Sequence, residues 1–224
     1  RFQEHKDIYK GDHVANQYKK AINLYQEKTA GTKSAFTGKY NPGYATYIPV
    51  STMLGKSPKE SGLEDGYPLH LITQRDILMT KSRTVVDYWL LAMKPENEII
   101  INGIDAKKLG LKSGDLVKVV SATNKEGVYD LKNGTKKPMI GKVMVTETIK
   151  PGVVTFTLGH GHWATGAADV TIDGAVIKGD PRRATGVMAN AAMWVDPYLK
   201  NTCMLDPVGG SVSFYDTKVK LVKA

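Results

Sequence analysis

Hydroxyl and guanidinium groups bunch at one place in this chain. Thr73-Gln74-Arg75 ends an apolar run, and Thr80-Lys81-Ser82-Arg83-Thr84 follows after a short turn. Hydroxyls, two arginines and free backbone N–H groups at the start of a helix make the donor set that an anion requires. Ordinary capping with solvated arginines would use the same residues. What favours a site is that both segments flank one turn, so their polar groups converge. His160-Gly161-His162-Trp163 puts two imidazoles on one side of an extended chain. A metal centre needs a third and a fourth ligand, and no neighbouring acidic or histidine cluster supplies them. The segment therefore reads as a glycine-hinged loop whose His162 and Trp163 line a pocket. Cys203, the single cysteine, lies among Thr202, Met204 and Leu205, which marks a half-buried strand end and not a nucleophile with its base. Asp206-Pro207, followed by Gly209-Gly210-Ser211, is a rigid turn whose glycines permit close backbone approach to a ligand.

Two nucleotide motifs fail. Gly55-Lys56-Ser57 has the end of a phosphate-binding loop, but Val50 stands where the motif needs its first glycine, so the backbone nest cannot form. No G-x-G-x-x-G follows a strand and opens a helix.

The elements that must hold these residues are mostly strands. Leu69–Thr73 reads as a strand, and Ser82 caps a helix to about Met93 with Val85, Val86, Trp89, Leu90 and Met93 as its apolar side. Ile99–Ile101 is a short buried strand. Asp105 caps a short helix that Gly110 closes, Ser113-Gly114-Asp115 turns, and Leu116–Val120 alternates as a strand. Further strands are expected at Lys142–Thr148, Val153–Leu158, near Val170–Ile177 and at Lys218–Val222. Many short strands with few short helices predict a mainly β barrel or sandwich, not a doubly wound α/β sheet. Residues 1–66 differ: Asp12 caps an amphipathic helix to about Lys28, and a stretch dense in Gly and Pro follows. They are expected to form a covering leader, with one domain over 67–224.

Composition sets the outer bounds. The 224 residues carry 31 Lys+Arg and 22 Asp+Glu, a formal charge of +9, and are 42% hydrophobic. These values exclude collagen, low-complexity disorder and a coiled-coil rod. No run approaches the roughly 20 apolar residues that cross a bilayer, and no secretory signal opens the sequence. The moderate, scattered positive charge is no nucleic-acid footprint. The start at Arg1, without an initiator Met, reads as a piece of something longer.

Taken in order, Leu69-His-Leu-Ile-Thr-Gln-Arg75, the Asp105–Val120 helix-turn-strand, Pro151-Gly152, Gly161-His-Trp163 and Asp206-Pro207 resemble the molybdopterin-dinucleotide-binding C-terminal domain of the dimethyl sulfoxide reductase family. Thr80-x-Ser-Arg-Thr84 is similar to the branch of polysulfide, thiosulfate, tetrathionate and respiratory arsenate reductases. The run from His160 to the end, with Asn201–Ser211 and Phe214–Lys218, looks most like the tetrathionate reductase catalytic subunit. The resemblance covers 67–224. It implies a double-psi β-barrel that binds molybdopterin guanine dinucleotide with Mo (or W) through Thr73, Gln74, Arg75, Thr80, Ser82, Arg83, Thr84, His162, Trp163, Asn201, Asp206, Tyr215 and Lys218. Asn190 is an alternative to Asn201 for the pterin. It implies no catalytic residue and no metal ligand in this chain. The metal ligand and any iron–sulfur cluster would lie in upstream domains of the same catalytic subunit. A membrane anchor subunit and an iron–sulfur electron-transfer subunit would be its partners, on the extracytoplasmic face, without membrane insertion of this chain. Tetrathionate or a related sulfur oxyanion is the implied substrate, with arsenate, thiosulfate and polysulfide open. Such barrels also serve as protein-recognition domains on ATP-driven unfolding machines; an adaptor of that kind has no need of the 73–84, 162–163 and 206–218 set.

Overall fold

The computed structural model describes residues 25–224 apart from 36, 133, 164, 165 and 207. The described residues form two compact units, 25–49 with 208–209, and 50–206 with 210–224. In the smaller unit, helix α1 (Glu27–Ala30) is a single turn. Asn41 N donates to Thr32 O at 3.0 Å, and Lys33 bridges Tyr40 with its ammonium 5.0 Å from the ring centre. Most of the helix expected over 12–28 lies outside the described residues.

The larger unit is built on a closed six-stranded barrel, in keeping with the mainly β barrel that the strand pattern and the resemblance lead one to expect. Its strands are β1 (Leu69–Gln74), β2 (Ile99–Asn102), β3 (Leu116–Ser121), β6 (Ile140–Thr146), β7 (Val153–Thr157) and β10 (Lys218–Lys223). The order around the barrel is β1-β10-β3-β6-β2-β7, and β7 pairs with β1 to close it. Two pairs are parallel, β1 with β7 and β2 with β6; the others are antiparallel. Period-2 alternation decides what fills the interior. Leu69 and Leu71, Ile99 and Ile101, Val117 and Val119, Val154 and Phe156, and Val219 and Leu221 are all buried in one cluster. Burying each such side chain stabilises by roughly 1.5–3 kcal/mol before the entropy of ordering is charged against it. Leu63, Trp194 and Met204 form a satellite cluster, and Met53 N donates to Asp196 Oδ2 at 2.7 Å, so residues 50–66 pack within this unit.

Three local readings need correction. The single helix expected over 82–93 is two pieces: a 3₁₀ helix at Lys81–Val86 and then α2 (Tyr88–Met93). Asp87 interrupts because its carboxylate accepts from Trp89 N and Leu90 N, which caps a new helix in place of continuing the old one. The restart rotates the apolar side, so Leu91 is buried while Trp89 is 86% exposed. Helix α3 (Gly103–Leu109) is capped by Asn102, whose side chain accepts from Ile104 N at 2.8 Å, and not by Asp105. Asp105 is buried within the first turn and accepts from Gly152 N; Gly110 closes the helix in the left-handed conformation as expected. The strand near 170–177 is a hairpin, β8 (Val170–Ile172) and β9 (Ala175–Ile177), turned by Asp173-Gly174, both at positive φ. A second hairpin, β4 (Val128–Asp130) with β5 (Lys136–Pro138), was not foreseen. Among the described residues no helix is long and apolar enough to cross a membrane.

Candidate cofactor site

The parallel pairing of β1 with β7 positions the candidate site. Two parallel neighbours run out of the barrel at the same end, so the loops that follow them emerge side by side. Gln74 faces Thr157 in the register, and Leu158 N donates to Gln74 O at 2.9 Å. The 75–84 turn and the 158–163 loop therefore start from adjacent points. They approach so closely that a Cβ on Gly159 would lie 2.5 Å from Lys81 O and 2.8 Å from Met79 Cγ. Gly159 sits at φ +100° and Gly161 at +75°, where a side chain would be strained as well as crowded. Lys81 itself holds a left-handed φ of 57°, a local strain of the kind that concentrates where a ligand is gripped.

Each side of this junction is tied down. On the β1 side, Asp76 Oδ1 accepts from Leu78 N at 2.9 Å and Oδ2 from Lys94 Nζ at the end of α2. The Lys94 hydrogen bond holds the Asp76 carboxyl below its ordinary range. On the β7 side, buried Asn97 acts as a zip. Its Nδ2 donates to Thr157 O (2.8 Å) and Val187 O (2.9 Å), and its Oδ1 accepts from Val187 N (2.8 Å). Tyr88 joins α2 to the 180–183 turn: its hydroxyl donates to Asp180 Oδ2 and accepts from Arg183 Nη2, both at 2.9 Å. The Arg182 and Arg183 guanidiniums lie 5.0 and 5.2 Å from the same ring centre. None of Asn97, Lys94 or Tyr88 announces itself in the sequence, because each acts through partners remote along the chain.

Of the residues singled out from the sequence, Thr73 and Gln74 end β1, and Arg75, Thr80, Ser82, Arg83, Thr84, His162 and Trp163 follow on these two neighbouring loops. Thr73 is buried at the barrel end, and Gln74, Arg75, Thr80 and Arg83 are exposed. Thr80 makes no side-chain capping bond, and the Thr84 hydroxyl is turned inward, donating to Lys81 O at 3.2 Å and touching Met79 Sδ. Lys218 does not join them. It pairs with His70 at the opposite end of β1, and its ammonium is held by Glu64. Trp194 N donates to Thr217 Oγ1, and Val195 bridges Cys203, which ties the segment carrying Asn201 towards that opposite end. Asp206 closes a turn by donating from its N to Ser211 O at 2.7 Å, and Tyr215 packs edge-on against Phe214. Asn190 and Asn201 are both exposed.

The chemistry available at the β1/β7 end suits a polar, anionic group. Among the described residues neither Arg75 nor Arg83 pairs with a carboxylate, so their charge is unspent. The Thr157 hydroxyl and both ring nitrogens of His160 are buried without a partner among the described residues. Burial pushes His160 down to about 4, with Lys94 adding to the effect and Asp76 opposing it. Burial, and then Lys137, also lowers His162. Neutral imidazoles, hydroxyls and guanidiniums in a crowded loop junction are what a cofactor with phosphates and polar ring edges needs, so the residues fit such a group.

Comparison with known proteins places this geometry. Residues 69–201 match the model of the molydopterin dinucleotide binding domain. The chain is 38% identical over 222 residues to a selenate reductase subunit from Mesobacillus selenatarsenatis, a match that covers 99% of this chain and 21% of that one. It is 32% identical over 156 residues to a tetrathionate reductase subunit from Archaeoglobus fulgidus, over 65% of this chain and 12% of the other. The chain thus spans about a fifth, or less, of the length of these relatives. Acetylene hydratase from Pelobacter acetylenicus shares the fold with a TM-score of 0.54 over 83% of this chain and 22% of its own, at 17% identity. The exit loops of β1 and β7 lie within a domain of known type: the chain belongs to the molydopterin dinucleotide binding domain family.

Proposed function

We propose that this chain is the cofactor-gripping part of a molybdenum or tungsten oxidoreductase catalytic subunit, and that the complete subunit reduces an oxyanion of selenium, sulfur or arsenic. The observation that carries the first half is the junction of the β1 and β7 exit loops: it brings Arg75 and Arg83, which meet no carboxylate among the described residues, onto the loop next to the one that carries buried polar groups with no partner among those residues. The cofactor, molybdopterin guanine dinucleotide in this reading, supplies the redox centre when bound. The chain's own share is to hold and orient it: Arg75 and Arg83 meet its anionic portion, Thr73, Gln74, Thr80, Ser82 and Thr84 line the turn, and His162 and Trp163 close the other side. Asn201, Asp206, Tyr215 and Lys218 stand outside this junction and take a secondary place in the proposal. The substrate half rests on the relatives. Selenate stands first, because the selenate reductase relative is matched over nearly the whole chain at the higher identity; tetrathionate and arsenate follow. A membrane anchor and an iron–sulfur subunit on the extracytoplasmic side complete the proposed assembly.

The test is a reduced-viologen assay of the complete subunit with selenate, tetrathionate, thiosulfate and arsenate, run beside the 224-residue chain alone. Oxyanion-dependent viologen oxidation by the complete subunit, with selenate turned over fastest and none by the isolated chain, is the expected result. Activity of the isolated chain, or indifference of the complete subunit to all four anions, contradicts the proposal.

A further inference from the structure

We propose that Lys137, a residue the sequence does not single out, forms with His162 an oxyanion-binding subsite beside the β1/β7 junction. Lys137 lies half-buried on β5. Its Nζ donates to two backbone carbonyls, those of Ala184 and Gly186, the second at 3.0 Å. Among the described residues it meets no carboxylate. The 184–188 stretch that holds the ammonium is the one on which the histidine loop rests. Gly161 N donates to Thr185 O at 2.8 Å, and a Cβ on Gly161 would come within 2.4 Å of Met188 N. His162, also half-buried, is the next residue along.

An ammonium has three N–H donors, so two carbonyls leave one for a ligand. Neutral carbonyls satisfy hydrogen bonds but do not cancel charge, and an uncompensated cation away from water is costly. The cost is visible in both groups: burial pushes Lys137 down, and His162 is lowered by burial and again by the nearby lysine. A half-buried ammonium and an imidazole whose protonation that ammonium opposes are both steadied in their charged forms by a single incoming anion. The ligand class is an oxyanion with several acceptor oxygens, either the diphosphate of a dinucleotide or an inorganic oxyanion of the selenate type. The location, though not the chemistry, rests on the function proposed above, since His162 belongs to that site.

The experiment is an NMR titration of the His162 ring in the 224-residue chain with inorganic pyrophosphate, guanosine diphosphate and sodium selenate in turn. Anion binding should shift the ring resonances and raise the His162 pKa. Lys137→Met should weaken binding about tenfold, the loss expected for one charge-assisted hydrogen bond, while Lys137→Arg retains most of it. Response to pyrophosphate and guanosine diphosphate alone assigns the subsite to the cofactor's diphosphate; response to selenate as well assigns it to an inorganic oxyanion. An Arg75→Ala/Arg83→Ala chain separates the two claims. Binding lost there but intact in Lys137→Met overturns the subsite and leaves the exit-turn site standing; the reverse pattern keeps the subsite and removes the exit turn. No response of His162 to any of the three anions also overturns it.

Discussion

A histidine that is 1% exposed and finds no hydrogen-bond partner among the described residues has to fold as the neutral ring, because a charge there would have neither water nor a bonded counter-ion. For His160 the consequence is a defined pH dependence. The unfolded chain takes up its proton near 6.5, whereas the folded chain does so only near 4. The unfolded state therefore binds more protons between those values, and stability must fall as pH drops from about 6.5 towards 4, then level off. His160→Gln should flatten that stretch of the curve, whatever its effect at neutral pH. Urea midpoints of both proteins from pH 7.5 to 4 check it, and parallel curves would show that His160 is not the group responsible. The sequence marked His160 as part of a glycine-hinged loop but held no sign of its depth. Gly159 and Gly161 press the loop onto Lys81 and Met188, and those contacts are made across long stretches of chain.

At the scale of elements, the strands were legible where the apolar period was clean. Leu116–Val120 and Val153–Leu158 were placed within a residue of β3 and β7, because alternation has one physical meaning in a half-buried sheet. The 82–93 segment misled for the opposite reason. Its apolar residues recur at helical spacing, but Asp87 has a stronger use as a cap than as an interior helix residue. The β4–β5 hairpin escaped notice because Lys136-Lys137-Pro138 has no alternating apolar face. What holds the elements at the site in register is a single buried amide. Asn97→Ala would leave Thr157 O and the Val187 N–H and C=O without their bonds in a place that water does not reach. The expected loss is about 2–4 kcal/mol, from several orphaned polar groups and a small cavity. Thermal unfolding measures the loss, and hydrogen exchange should show Val187 N–H losing protection before the barrel core does. Wild-type stability with unchanged protection at Val187 would mean that the zip is dispensable.

On the scale of the whole molecule, the barrel is a frame that delivers two loops to one place, and the direction of its strands decides which residues share that place. Sequence order could list Thr73 to Thr84, His162, Trp163, Asp206 and Lys218 as one set. Only the antiparallel pairing of β1 with β10 reveals that Lys218 starts its strand at the far end, clasped by Glu64. Lys137 was invisible for the same reason in reverse, since its meaning depends on the carbonyls of Ala184 and Gly186, remote in sequence. The central claim, that the β1/β7 junction grips the dinucleotide cofactor, is tested most directly by the molybdenum (or tungsten) and pterin content of the complete subunit carrying Arg75→Ala or Arg83→Ala, with Lys218→Ala beside them as the far-end control. The account predicts several-fold lower metal and pterin per chain in the two arginine variants and near-parental content in the control, all three proteins being folded. Full cofactor content in both arginine variants would contradict it.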